Sequence, residues 1–237
     1  ETAMTSARQN ALQSRFRGVC LVAALVLSAC SSSPPAPDWR MNAHGALERG
    51  VSAYLSGDSR VADLEFGRAR AEVARTGRAD LVARAELVRC AAQLASLVVE
   101  PCAAFEPLRV DAPPAERAYA DHLRGPIDAA RVPLLPPPQQ AIAAPNATSA
   151  TDVAALTAAV DPVSRLVGAA VSLRSGRANA AVVKLAIDTA SDQGWRRPLL
   201  AWLGVARQQA EAAGDRAQAE QLARRIQLVL DGPSTGR

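Results

Sequence analysis

The sequence predicts an all-α protein of antiparallel helical hairpins stacked side by side. From residue 39 onward, apolar residues recur at three- and four-residue steps, as one face of a helix requires. Glycine–aspartate and aspartate–proline pairs punctuate these runs where turns between helices belong. No stretch alternates apolar and polar residues as a half-buried strand would.

The elements follow in order. Leu47, Val51, Tyr54 and Leu55 form the apolar face of a first helix starting near Trp39. Gly57-Asp58 stops it, and Asp58 or Ser59 caps the next, which Val61, Leu64, Ala69 and Val73 continue. Gly77 ends that helix, Asp80 caps, and Leu81 to Leu97 reads as a third. Pro101, Pro107, Pro113 and Pro114 then permit only short helices, the clearest being Pro114 to Leu123. Val132 to Ser149 is proline-rich and aperiodic, and is expected to be a linker or surface loop. Beyond it, Asp161-Pro162 is a cap with proline at the first helical position. Further helices are expected over 162–175, 178–191, 198–213 and from Asp215 to about Leu230, turned by Gly176, Gln193-Gly194 and Gly214. These boundaries give an N-terminal helical block over 39–131, a linker over 132–150, a C-terminal block over 151–231 and a short disordered tail over 232–237.

The amino-terminal thirty residues have a different character. Arg8, Arg15 and Arg17 make a basic head, Gly18 to Ala29 is an unbroken run of apolar and small residues, and Cys30 follows. A spanning helix needs about 20 apolar residues, more than this run supplies. The layout is that of a secretory leader. Leu27-Ser28-Ala29-Cys30 resembles the bacterial lipobox at every position. That resemblance implies cleavage before Cys30, lipidation of its thiol and acylation of the new amino terminus. Ser31 stands where the inner-membrane retention signal of such proteins places Asp, so the implied address is the outer membrane, with the anchored chain facing the periplasm. Glu1-Thr2-Ala3 ahead of Met4 reads as a cloning remnant, and Ser31 to Asp38 as a proline-rich tether.

Of four cysteines, Cys20 belongs to the leader and Cys30 to the anchor, leaving Cys90 and Cys102. In an exported protein an even pair reads as a disulfide. A helix climbing about 12 Å from Cys90 can be retraced by an extended return to Cys102. Two unrelated buried thiols are the competing reading, and no histidine stands at metal-ligand spacing. Removing residues 1–29 changes the basic count to 27 − 3 = 24 and the acidic count to 23 − 1 = 22, so the remainder is nearly neutral. With aromatic residues at 3%, no basic stripe interleaved with aromatics argues for nucleic-acid binding.

Gly50, Gly57, Ala62, Phe66 and Ala69 form a ladder that resembles the tetratricopeptide repeat, in which small residues let paired helices approach and larger ones fill the gap. Ala169, Gly176, Ala181 and Leu185 repeat it, with Asp188 where a small residue is expected. Gly214, Ala219 and Ala223 repeat it again, with Ile226 in the last place. Gly176 and Gly214 lie 38 residues apart, longer than the repeat length of about 34. The likeness implies that the first helix of each pair lines a concave surface. By position, that surface would present His44, Leu47, Val51, Tyr54 and Leu55, then Val163, Leu166, Ala170, Leu173 and Arg174. Their composition suits a groove for a peptide or helix, while the competing reading buries them against neighbouring helices as core. Trp195 and Trp202 are expected to pack in the core.

Catalysis requires a nucleophile beside a base, tuned carboxylates or a metal. His44 and His122 are the two imidazoles, His122 in a surface-like segment, and neither adjoins a serine or cysteine motif. No phosphate-binding glycine loop occurs. The expectation is a non-enzyme without cofactor, metal or small-molecule substrate. Its partners would be the membrane, through acylated Cys30, and a protein or peptide. The role would be that of an adaptor in an envelope, secretion or pilus machine, the alternative being a permanent structural subunit of an envelope complex.

Overall fold

A computed structural model describes residues 37–232. The leader, Cys30, most of the tether and the tail after 232 lie outside the described residues. Residues 38–232 form one compact unit, all of whose regular elements are helical. Ten α-helices follow in order: α1 Asp38–Ser56, α2 Ser59–Ala74, α3 Ala79–Ala95, α4 Pro114–Arg124, α5 Pro137–Ala143, α6 Ser149–Ala158, α7 Pro162–Arg174, α8 Ala180–Asp192, α9 Arg196–Ala212 and α10 Arg216–Asp231. Short 3-10 turns occupy Glu106–Leu108 and Ala129–Leu134. Tight turns reverse the chain between α1 and α2, α2 and α3, α7 and α8, α8 and α9, and α9 and α10, so each of these pairs is an antiparallel hairpin.

The first hairpin shows how the sequence dictates this packing. Gly57 takes φ of 100°, a conformation that other residues adopt only with strain, and the Asp58 carboxylate then accepts a 3.0 Å bond from the Val61 amide to start α2. Within the pair, Gly50 is buried, and a Cβ there would meet the Phe66 ring at 2.9 Å. The absent side chain is what allows the Phe66 ring to lie against the α1 backbone. Ala62 and Ala69, both 0% exposed, extend the same close seam.

Charge fixes the register from one helix to the next. Arg49 on α1 pairs with Glu65 on α2 at 2.8 Å, and Arg70 on α2 with Glu86 on α3 at 2.5 Å. Arg84 on α3 then donates from Nε to Glu116 on α4 at 2.9 Å. The three glutamates are 5%, 7% and 8% exposed, whereas their arginines reach out to solvent. A buried carboxylate without such a donor would be strongly unfavourable, so each rung demands its neighbour.

After α3 the chain bends through Leu97, the non-glycine residue with positive φ among the described residues. Cys90 and Cys102 are joined by a disulfide with a Cα–Cα distance of 5.8 Å, closing the bend, and Phe105 is fully buried just beyond it.

The proline-rich stretch departs from the expected linker over 132–150. It folds: α5 and α6 pack on each other and on α7, with Leu135, Gln139, Ile142 and Leu156 buried. Prolines 114, 137 and 162 stand in the first turns of their helices, where the missing amide costs no hydrogen bond. Composition signalled a break in periodicity, yet short helices form there all the same. The expected N- and C-terminal blocks accordingly share one core, which runs from Leu55 through Phe105 and Ile142 to Trp202 and Leu222. Trp202 donates its indole N–H to Ala95 O at 3.2 Å, and Arg197 donates to Tyr54 O at 2.7 Å, so α9 is tied to both α3 and α1.

Two measurements test this packing. Gly50→Ala should lower stability by about 1–3 kcal/mol in urea unfolding, because the new methyl overlaps the Phe66 ring. Reducing the Cys90–Cys102 bridge, which links residues 12 apart, should remove about 3 kcal/mol and lower the melting temperature. An unchanged melting curve in reductant would disprove the bridge's role.

Candidate functional site

Where the two helical blocks meet, an open groove of about 660 Å³ lies between α3, α4, α7 and the segment before α5. Its apolar wall comes from Val51, Leu87, Val88, Ala91, Leu134 and Val163. Leu87, Val88 and Ala91 share one side of α3, following from helical spacing. Val51 arrives from α1 and Val163 from the first turn of α7, so the groove needs both halves of the chain. Its polar lining comprises the Arg84–Glu116 ion pair, Tyr119, Asp161 and Ser164. Burial, assisted by the negative charge of Asp161, pushes the Tyr119 phenol well above its ordinary range, so it stays a neutral hydroxyl.

The predicted contact residues divide. Val51 and Val163 line the groove. Leu55 and Leu166 are both 0% exposed and belong to the core, correcting their assignment to a binding surface; the helical faces they occupy are covered by neighbouring helices. Ala170 is likewise buried, and Leu173 is partly buried against the same core. Tyr54 is covered by Arg197, whose guanidinium sits 4.2 Å from the ring centroid. Leu47 is partly buried and lies outside the groove lining. His44 is exposed and faces Glu48 at 3.3 Å on its own helix. Arg174 is an exposed side chain whose donors are occupied by Leu123 O at 2.7 Å and by Arg124 O, fastening α7 to the end of α4.

Behind the groove runs a polar bridge. His122, read as surface-like in the sequence, is 1% exposed. Gln139 donates to Ser164 O at 2.8 Å and to Ser164 Oγ at 2.9 Å, which turns its Oε1 toward His122 Nε2, 3.1 Å away. That arrangement places the imidazole proton on Nε2. The bridge joins α4, α5 and α7, and Ser164 stands on the groove wall itself. A second buried link holds α6: Asp152, 0% exposed, accepts from Ser172 Oγ at 2.6 Å and from Arg177 Nε at 2.8 Å. Nothing short-range in the sequence announced either network, since His122 and Gln139 are 17 residues apart and Asp152 and Arg177 are 25 apart.

A second, smaller groove of about 490 Å³ lies among α8, α9 and α10, edged by the Lys184–Asp188 ion pair. Among the described residues no cluster of three His, Cys, Asp or Glu side chains could hold a metal ion, and no helix is long and apolar enough to cross a membrane. Comparison with known proteins gives no match: no family model fits the chain, and neither a curated protein nor a solved structure is similar to it.

Burial lowers the His122 pKa below its ordinary 6.5, an effect the Gln139 hydrogen bond partly opposes. The unfolded chain therefore takes up a proton at higher pH than the folded one, so stability falls as pH drops through about 6.5 and levels off below the folded pKa. Melting temperatures measured between about pH 7.5 and pH 5.5 should fall more steeply for the natural chain than for His122→Gln. Equal slopes would refute the buried neutral imidazole.

Proposed function

We propose that this chain is a lipid-anchored helical adaptor of the bacterial outer membrane, and that the groove between its two blocks receives an apolar segment of a partner protein. The groove carries the reading: an open, mostly aliphatic lining with a few polar groups is the composition used to hold a helix or extended peptide. The Leu27–Cys30 lipobox supports the anchor, and the tetratricopeptide likeness of Gly50 to Ala69 supports a scaffold of paired helices. On this reading the protein performs no chemistry. Acylated Cys30 holds it at the bilayer, since each buried methylene of an acyl chain contributes about 0.8 kcal/mol and several chains together make attachment lasting. The folded unit is then displayed beyond a short stalk, where the groove meets its partner.

The test places a photo-crosslinking side chain at Val88, in the groove, or at Arg60, an exposed site outside its lining, in cells expressing the full chain. A discrete crosslinked product at Val88, absent at Arg60 and reduced when Cys30→Ser removes the anchor, is the expected outcome. Identical products at both sites, or incorporation of a labelled fatty acid into the Cys30→Ser chain, would overturn the reading.

A further inference from the structure

Resting on the groove as the partner site, the structure carries a statement about the partner's chemistry. Three charged side chains line the groove, Arg84, Glu116 and Asp161, giving a sum of 1 − 2 = −1. Arg84 is already engaged, because its Nε and a terminal nitrogen both donate to Glu116 Oε1. Asp161 is in a different position. One of its oxygens caps α7, accepting from the Ser164 amide at 2.6 Å, and none of the ion pairs among the described residues involves it. The amino end of α7 offsets part of that charge, but a half-charge of helical amides is weaker than a full carboxylate. Tyr119 and the Asp161 carboxylate both line this groove, and an aromatic ring and a carboxylate without an ion-pair partner each attract a cation. Val160, 91% exposed, stands next to Asp161 in the chain.

We infer that the groove is selective for an aliphatic segment carrying one basic residue, whose Lys or Arg side chain sits between the Asp161 carboxylate and the Tyr119 ring. Aliphatic neighbours on that segment fill the wall formed by Leu87, Val88, Leu134 and Val163. A segment with an acidic residue at the same place meets the Asp161 carboxylate and is rejected, so that carboxylate acts as a filter on charge while the wall supplies affinity.

The experiment titrates the full chain into dye-labelled synthetic helices that share one leucine stripe and differ at a single flanking position, Lys, Gln or Glu, with fluorescence anisotropy as the readout. The Lys helix should bind about tenfold more tightly than the Glu helix, with Gln between them. Asp161→Asn keeps the cap on the Ser164 amide while removing the charge, and should bring the three affinities together. Ala115→Trp, at an exposed position on the groove, should block all three helices. Equal binding of the Lys and Glu helices, still blocked by Ala115→Trp, overturns the cation seat and leaves the apolar groove standing. Binding that Ala115→Trp does not alter, or no binding at all, overturns both. Self-association of the full chain that Ala115→Trp abolishes, seen by sedimentation without peptide, assigns the groove to a second copy and also overturns the proposal.

Discussion

Three buried glutamates, each held by an arginine from the preceding helix, set the register on which the N-terminal half depends. A hydrophobic seam made of alanine, valine and leucine is permissive: helices can slide by a turn and still bury similar area. A carboxylate at Glu65, Glu86 or Glu116 is not permissive, because it has few donors within reach and solvation is largely removed. The hydrogen bond from Arg49 holds the Glu65 carboxyl below the usual carboxylate range, so this rung stays charged over the neutral range. The guanidiniums themselves remain in contact with water, which keeps their own desolvation small. The last rung, Arg84–Glu116, forms part of the groove edge, so the device that aligns the helices also shapes the candidate site.

Proline organises the middle of the chain in a complementary way. The segment from Pro113 to Pro162 forms only short helices, with Pro114, Pro137 and Pro162 in first turns and Thr148 capping α6, and these elements bury Gln139, Ile142 and Leu156 against α7. The Cβ of any larger residue at position 168 would meet Leu156 at 2.9 Å, so Gly168 is what lets α6 settle on α7.

This division explains what could be read from the sequence. Helix positions and turns were legible because their signals are local, and so were the Asp58 cap of α2 and the Asp161 cap of α7, each within three residues of the amide it serves; Asp80, expected to cap α3, lies instead in its first turn, with Arg78 at the cap position and no side-chain cap bond. The Cys90–Cys102 pairing was legible for the same reason. The groove was legible only in part. Helical spacing placed Val51 and Val163 on faces that could be exposed, but the same spacing placed Leu55 and Leu166 there, and only the packing of a distant helix separates groove from core. Arg84 and Glu116, 32 residues apart, and Tyr119 beside Asp161 have no signature short enough to be recognised along the chain. The proline-rich segment misled because low periodicity signals the absence of long elements, which is different from the absence of packing.

The Arg197 clasp carries a mechanical consequence. Its guanidinium lies over the Tyr54 ring, bonds the Tyr54 carbonyl and reaches Ser59 Oγ at 2.7 Å, gripping the hairpin bend from the far half of the molecule. Tension applied at Asp38 would therefore not peel the first helix away on its own. It would be shared, through that grip, with a helix more than a hundred residues downstream, and the body would yield to a pull as a whole.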